Sequence, residues 1–498
     1  MLALWSLAAL ALWLAPAEPA ADLKAQAVLD RAVVATGGQA LLDSLRQLRI
    51  VSVGTQDLSA IYQGHYSEKA TPERRQQTLV LDLDARRGAL RTEGVQSDGT
   101  PSLWKETVLG DAGYSYNIKT QKVFERAGDW ADATWSQWLW SLPHLALKEL
   151  QAQRGALRFA GSAKKDGREL DVLSLMLENR PAVKVSFDRK TGLLDGYEFE
   201  APYVEGRTTF EYLFKPYRPA PGLGVFPSGI RQRVGGTVFR DLDVFDARLA
   251  PVDKDDPWLT PLPAGTGPGT VIPSQKRRAE TVAPGVSVLR NVGGYNVLIA
   301  ALGDCIAVVD APASFASPGP LPPASPPPDL SQDVLDMAAG VFPGKKICWV
   351  IPTHHHGDHF GGIGPYVRAG AAVLTTPGNG DLARRVIEYG VKSSGNWTDA
   401  EEFAPRVETF AGKKVLGEGD ARLEVYAVPG TRHAEEMLFV YFPAHGIAFE
   451  GDLGDYVLAA KRFLQFAEEN KLAIDKVYGV HDSDFWTLDD AREDDPSN

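Results

Sequence analysis

Hydrophobic and polar positions change texture three times along the chain. Between Asp22 and about Leu45, apolar residues recur at helical spacing (Leu23, Ala27, Leu29, Ala32, Val33, then Leu41, Leu42 and Leu45). That pattern predicts a helix broken at Gly37-Gly38. From Leu48 to about Leu249 short alternating runs such as QTLVLDLDA, ELDVLSLMLE and AVKVSFDRKTG are separated by turn residues. They predict a mostly antiparallel sheet or half-barrel, with Arg189-Lys190-Thr191-Gly192 as a hairpin. Trp130 to Leu150 interrupts the alternation, with Trp135, Trp138, Leu142, Leu145 and Leu147 on a rough helical face. Such a stretch either plugs the concave side of the sheet as core or lines a cavity for an apolar ligand. From about 281 onward strand runs (VSVLRNV, YNVLIAAL, CIAVVDA, ICWVIPT, AAVLTT, LEVYAV, MLFVYFP) alternate with helical ones (SQDVLDMAAGVF, Gly378 to Gly390, Tyr456 to Asn470), and VYGV is the last strand. Alternation of that kind predicts packed layers of strands and helices, so the chain as a whole is α+β.

The ends and joints differ in composition. Leu2 to Ala15 is an apolar run too short to span a membrane, followed by the small-residue site Ala15-Pro16-Ala17. Residues 1–20 are therefore expected to be a signal peptide and the protein to be exported, to a bacterial periplasm. No later segment is long and apolar enough for a transmembrane helix. Residues 251–280 are rich in Pro, Gly and Asp without periodicity, a linker between a β-rich unit over 22–250 and a second unit over 281–490. The Pro-rich stretch 312–328 lies inside the second unit and reads as an extended surface loop.

Charge narrows the partners. With 52 Lys+Arg against 64 Asp+Glu the net charge is −12, and no basic run exceeds Lys276-Arg277-Arg278. Nucleic acid is not expected as a partner, because phosphate binding needs clustered cations. Only two cysteines occur, Cys305 and Cys348, which excludes a cysteine-based zinc ribbon. They are expected to be buried free thiols, the common state of this residue type.

Chemistry concentrates in the histidines. Of nine, seven fall between 354 and 481: His354, His355, His356, His359, His433, His445 and His481. Four sit in THHHGDHFGG directly after a strand. His354 and His356, two apart on extended backbone, point the same way and can share a metal ion. Asp358 and His359 follow on a tightening turn, offset toward a second ion. Histidine and carboxylate are the ligands zinc uses when it keeps a position open for water. His355, at the intervening position, is expected to face solvent or to support the ligands from behind, and His445 to lie on a turn. His65 and His144 stand alone and are read as structural.

HHHGDH matches the H-x-H-x-D-H signature of the metallo-β-lactamase fold superfamily, and other segments fall in that family's order. GDCIAVVDAP carries Asp310 at a strand end, PGTRHAEEMLFVYFP carries His433, IAFEGDLG carries Asp452, and KVYGVHDS carries His481 where the family often has a GHG-like segment. The resemblance covers roughly 281–490. It implies a four-layer αββα sandwich there. It also implies a first metal on His354, His356 and His433, a second on Asp358, His359 and His481, and Asp452 bridging both. The bridging aspartate resembles that of dinuclear hydrolases such as glyoxalase II, and neither cysteine falls where true β-lactamases carry their cysteine or serine. The β-rich unit resembles, in texture only, lipoprotein-carrier domains of bacterial envelopes.

These readings imply an exported hydrolase holding two zinc ions. A metal-bridging hydroxide would cleave an ester, lactone or thioester bond of a small-molecule substrate, with Asp358 orienting the nucleophile and carrying its proton. Two alternatives stay open. One is an iron-dependent oxygenase of the same fold, since the ligands accept iron as readily as zinc. The other is a binding protein that captures an apolar ligand in the first unit beside a vestigial metal site.

Overall fold

The computed structural model describes residues 22–57, 72–95, 101–117, 122–126, 130–177, 182–204, 206–251, 259–261, 271–272, 276–313, 329–393, 406–431, 433–454, 457–482 and 484–493. The expected signal peptide, His65 and most of the Pro-rich stretch lie outside these residues.

The alternating runs of the N-terminal part build one sheet of fourteen strands. At its middle Gln47–Gln56 pairs antiparallel with Glu73–Asp82 on one side and with Thr237–Leu249 on the other. Every other neighbour in the sheet is antiparallel except Val271–Ile272, which joins Lys122–Arg126 in parallel. Period-two alternation sends Leu48, Ile50, Leu79, Leu81 and Val108 to the inner face, where they join one apolar core. The helix Leu23–Thr36 packs there, capped by Asp22, whose carboxylate accepts from the amides of Lys24 and Ala25. The expected break follows at Gly37-Gly38, and Gln39–Ser44 resumes as a short helix.

The Trp-rich stretch divides into two helices, Trp130–Ser141 and Pro143–Ala152, because Pro143 starts a new helix at its first position. It is core. Trp140 is fully buried against Tyr197, and Trp138, Leu142, Leu145 and Leu147 share the same cluster. Gly113 permits the approach, since a Cβ there would meet the Trp130 ring at 2.3 Å. The region read as a linker also packs in part: Leu259 is buried beside Val80 and Ala89 on the opposite face of the sheet.

From Arg278 onward two sheets of seven and six strands stack face to face. Their shared core includes Val288, Leu298, Val309, Ile351, Val425, Val440 and Phe449. Helices Leu330–Val341, Ile363–Arg368 and Gly380–Ser393 cover the outer face of the seven-stranded sheet. Val457–Glu469 covers the outer face of the six-stranded one. The order of layers is helix, sheet, sheet, helix. A short strand Phe485–Trp486 and a helix Leu488–Glu493 follow the strand expected to be last.

The cysteines correct an expectation. Cys305 and Cys348 stand on neighbouring parallel strands with Cα atoms 5.7 Å apart and form a disulfide. Both are half-buried. Cross-strand pairing, which local sequence does not encode, brings the thiols within bonding distance.

Candidate metal centre

All seven predicted ligands come together at one end of the sandwich, on turns that leave strand ends. His354, His356, Asp358 and His359 follow the strand Lys346–Ile351. His433 precedes Glu436–Phe442, Asp452 follows Ile447–Glu450, and His481 follows Lys476–Gly479. The donor atoms fall in two groups, each within 4.8 Å: His354, His356, His433 and Asp452, then Asp358, His359 and His481.

In the first group His433 Nε2 lies 3.2 Å from His354 Nε2 and 3.1 Å from His356 Nδ1, and Asp452 Oδ2 is 2.9 Å from His433 Nε2. In the second, His481 Nε2 is 3.3 Å from His359 Nε2. Asp452 Oδ1 approaches those two nitrogens at 3.1 and 3.2 Å, while Asp358 Oδ2 stands 3.7 and 3.9 Å from them. Asp452 thus turns one oxygen to each group.

These spacings fit a metal. Bonds of 2.0–2.1 Å at tetrahedral angles leave neighbouring donors about 3.3–3.4 Å apart. Facing imidazole nitrogens at such distances need a proton or a cation between them, and His433 Nε2, which faces two other ring nitrogens, can share a single proton with only one of them. A metal ion accepts all of their lone pairs at once.

Behind the donors, further groups fix ring orientation. His359 Nδ1 lies 2.7 Å from Asp310 Oδ2, which leaves Nε2 to the site. Thr353 joins the same network: its amide donates to Asp310 Oδ1 at 2.8 Å, and its hydroxyl lies 3.2 Å from His354 Nδ1. Asp310 is fully buried at φ 73°, an uncommon conformation for a side-chain-bearing residue. The Glu450 carboxylate accepts from the Leu453 amide at 2.6 Å and shapes the turn that carries Asp452. Thr431 Oγ1 donates to the Ala434 carbonyl at 2.6 Å and braces the turn of His433. Asn296 Nδ2 donates to the carbonyls of Gly479 and Asp482 at 2.8 and 2.7 Å, holding the turn of His481 from both sides.

Electrostatics follow from burial and from the crowding of imidazoles. Burial, helped by neighbouring histidines, holds His354 and His356 well below the usual imidazole pKa, so both are neutral, the form that binds metal. Burial opposes a charge on His359 too, but Asp452, Asp310 and Asp358 outweigh it and raise its pKa. Burial likewise disfavours the Asp452 carboxylate, and His359, His481 and His433 more than compensate, keeping it ionised.

Of the two places expected for His355, the structure gives the one behind the ligands: it is 6% exposed, with its ring centroid 4.8 Å from that of His356. His445 lies on a turn, and His144 is buried with Nε2 2.8 Å from the Leu223 carbonyl oxygen. Thr353, Glu450, Thr431 and Asn296 were not singled out from sequence. Thr353 and Glu450 adjoin predicted ligands, but nothing local marks Asn296.

Residues 320–456 match the family model described as metallo-beta-lactamase superfamily. No curated protein matches the chain. Among solved structures, a metallo-beta-lactamase from Pontibacter korlensis is 19% identical, with 44% of this chain and 97% of that one covered and a TM-score of 0.31. The stereoselective inverting sec-alkylsulfatase Pisa1 from Pseudomonas sp. is 17% identical over 44% of this chain and 40% of that one, with a TM-score of 0.31. The Flv1 flavodiiron core from Synechocystis sp. PCC6803 is 13% identical over 45% and 61%, with a TM-score of 0.32. The matched segment carries the HHHGDH turn, His433 and Asp452, so this part of the αββα sandwich is similar to the metallo-beta-lactamase superfamily.

Proposed function

We propose that this protein is a metal-dependent hydrolase holding two zinc ions, one on His354, His356 and His433 and one on Asp358, His359 and His481, with Asp452 shared. The observation that carries the reading is the split of the Asp452 carboxylate, Oδ2 beside His433 and Oδ1 beside His359 and His481. A closed structural zinc site has four fixed ligands and is usually cysteine-rich. Here the donors are histidine and aspartate only, and the second group is open on the side of His481, whose side chain is 30% exposed.

Ions at such a pair supply Lewis acidity toward a carbonyl oxygen and lower the pKa of water toward about 7. The chain's own residues do the rest. Asp358 has a carboxylate 29% exposed at the mouth of the site and accepts the proton of the attacking water. Asp452 keeps its charge and holds the two donor groups at fixed separation. Asp310 and Thr353 hold the rings of His359 and His354 so that no side chain reorients during turnover. An ester, lactone or thioester suits this arrangement, with no serine or cysteine nucleophile required.

Export remains part of the reading, supported by the apolar run Leu2 to Ala15 and by the Cys305–Cys348 bond, since disulfides persist in oxidising compartments. Among the described residues no helix is long and apolar enough to cross a membrane.

The test is a panel of 4-nitrophenyl esters, lactones and thioesters with zinc-loaded protein and its Asp358→Asn variant. Turnover on one class, reduced about 10²–10⁴-fold in the variant as for loss of a general base, supports the proposal. No turnover on any class, or full turnover by the variant, overturns it. Consumption of oxygen by iron-loaded protein would favour the oxygenase instead.

A further inference from the structure

Two neighbouring strands reach the metal centre with their ends tied together. Cys305–Val309 and Lys346–Ile351 run parallel toward it. The first delivers Asp310 and the second delivers the HHHGDH turn. At that end the backbone of one strand holds the turn of the other. The Asp310 amide donates to the Ile351 carbonyl at 3.0 Å, the Ala311 amide to the His359 carbonyl at 2.9 Å, and the Gly362 amide to the Ala311 carbonyl at 2.9 Å. The Asp310 side chain adds its bonds to the Thr353 amide and to His359. How the two strands align therefore decides which groups meet at the centre.

That alignment is irregular. Cys305 stands opposite Lys346 and Ile306 opposite Ile347, but Ala307 stands opposite Trp349, so Cys348 is an extra residue in its strand. Bulges of this kind are rare between parallel strands. In a regular ladder Cys348 would lie one strand over and two residues beyond the position opposite Cys305. With strands about 4.8 Å apart and about 3.3 Å per residue, the Cα atoms would be roughly 8 Å apart. A disulfide does not reach that far without moving the backbone. Here they are 5.7 Å apart and the bond is made. The bond requires the bulge and, once formed, holds it in place. Without the bulge, Trp349 to Thr353 would shift by one residue against Cys305–Val309, and a one-residue slip turns side chains to the opposite face. Thr353 would then no longer meet Asp310.

We infer that the Cys305–Cys348 bond is a positioning element of the metal centre. It locks the bulge roughly 17 Å before Asp310 along the strand, and so fixes the register that sets Asp310 against Thr353 and His359. Its effect falls on the second donor group, because His359 is the ligand that Asp310 orients. The inference rests on the proposed metal centre for the ions held but not for the strand register. A bond that served only as a staple against unfolding would raise the melting temperature and leave the folded centre as it was.

The test compares the full-length wild type with the double variant Cys305→Ser, Cys348→Ser, which removes the bond with little change of volume. Hydrogen exchange, read on folded metal-free protein, should quicken about tenfold at the amides of Asp310 and Thr353 in the variant and stay the same in the six-stranded sheet. Competition with a chromophoric chelator should show the second zinc equivalent held about tenfold more weakly and the first unchanged. Should the serine variant not fold, wild-type chain folded with its bond and then reduced by a phosphine in metal-free buffer carries the exchange measurement. Unchanged exchange overturns the inference, even where the melting temperature falls. Faster exchange with both zinc ions held as tightly as in wild type overturns it too. If the wild type binds no zinc but exchange depends on the bond, the metal reading fails and the register lock stands.

Discussion

Asp310 Oδ2 lies 2.7 Å from His359 Nδ1, with both side chains fully buried. A carboxylate behind a ligating imidazole fixes which ring nitrogen carries the proton and raises the basicity of the other. Asp310→Asn keeps the size of the side chain but loses the charge. The variant should bind metal at the second group about 10–100-fold more weakly, read by competition with a chromophoric chelator. Unchanged affinity would mean that the pair only supports packing.

Asn296 acts from the opposite sheet. Its side chain donates to two carbonyls that flank His481, Gly479 before it and Asp482 after it. Asn296→Ala leaves both acceptors without this donor and should destabilise the fold by about 1–3 kcal/mol. Turnover should fall as the His481 turn loosens. Thermal melting and kcat measured on the same preparation check both effects, and a variant with normal melting and normal kcat would contradict the clamp.

Gly451 holds the turn before Asp452 against the HHH segment. A Cβ there would come within 2.3 Å of Thr353 Oγ1 and 3.2 Å of His354 Nδ1. Thr353 is fully buried and tied to Asp310, so it cannot simply rotate away. Gly451→Ala should cost about 1–3 kcal/mol by overpacking, measured by urea denaturation, and should weaken metal retention.

Much of this centre is legible in the sequence because its ligands sit on local patterns. Two-residue spacing on extended backbone aligns His354 and His356, and Asp452 and His481 fall at the ends of apolar strand runs that are evident without a structure. The rest depends on contacts between distant segments. Asn296 is one polar residue in the apolar strand Tyr295–Leu302, and its role appears only once the two sheets meet. The Cys305–Cys348 bond depends on which strands become neighbours. Period-two alternation marks each N-terminal strand, but whether the runs form one sheet or two is decided by pairing between Gln47–Gln56 and Thr237–Leu249, nearly two hundred residues apart. The contact of Val204 with the apolar cluster that holds Leu330 and Val386 depends on packing between the two halves of the chain.

His144 gives the N-terminal core a pH dependence separate from the metals. Burial lowers its pKa below the usual 6.5, although its bond to the Leu223 carbonyl favours the charged form. Its Nδ1 is buried without a hydrogen-bond partner among the described residues, so a proton there finds no acceptor. The unfolded chain takes up that proton more readily than the folded one. Its stability contribution is therefore full above about pH 6.5 and declines below, by up to about 1.4 kcal/mol per pH unit until the folded-state pKa is reached. Urea midpoints at pH 7.5 and 5.5 should differ less in His144→Gln than in wild type. An equal difference would exclude His144 as the source.

The shared carboxylate of Asp452 is the centre of the account, and metal content per chain tests it most directly. Protein purified without chelator and reloaded with zinc should hold about two ions, and Asp452→Ala should lose at least one while remaining folded. A wild-type chain that holds fewer than two ions, or a variant that keeps both, would contradict the dinuclear centre.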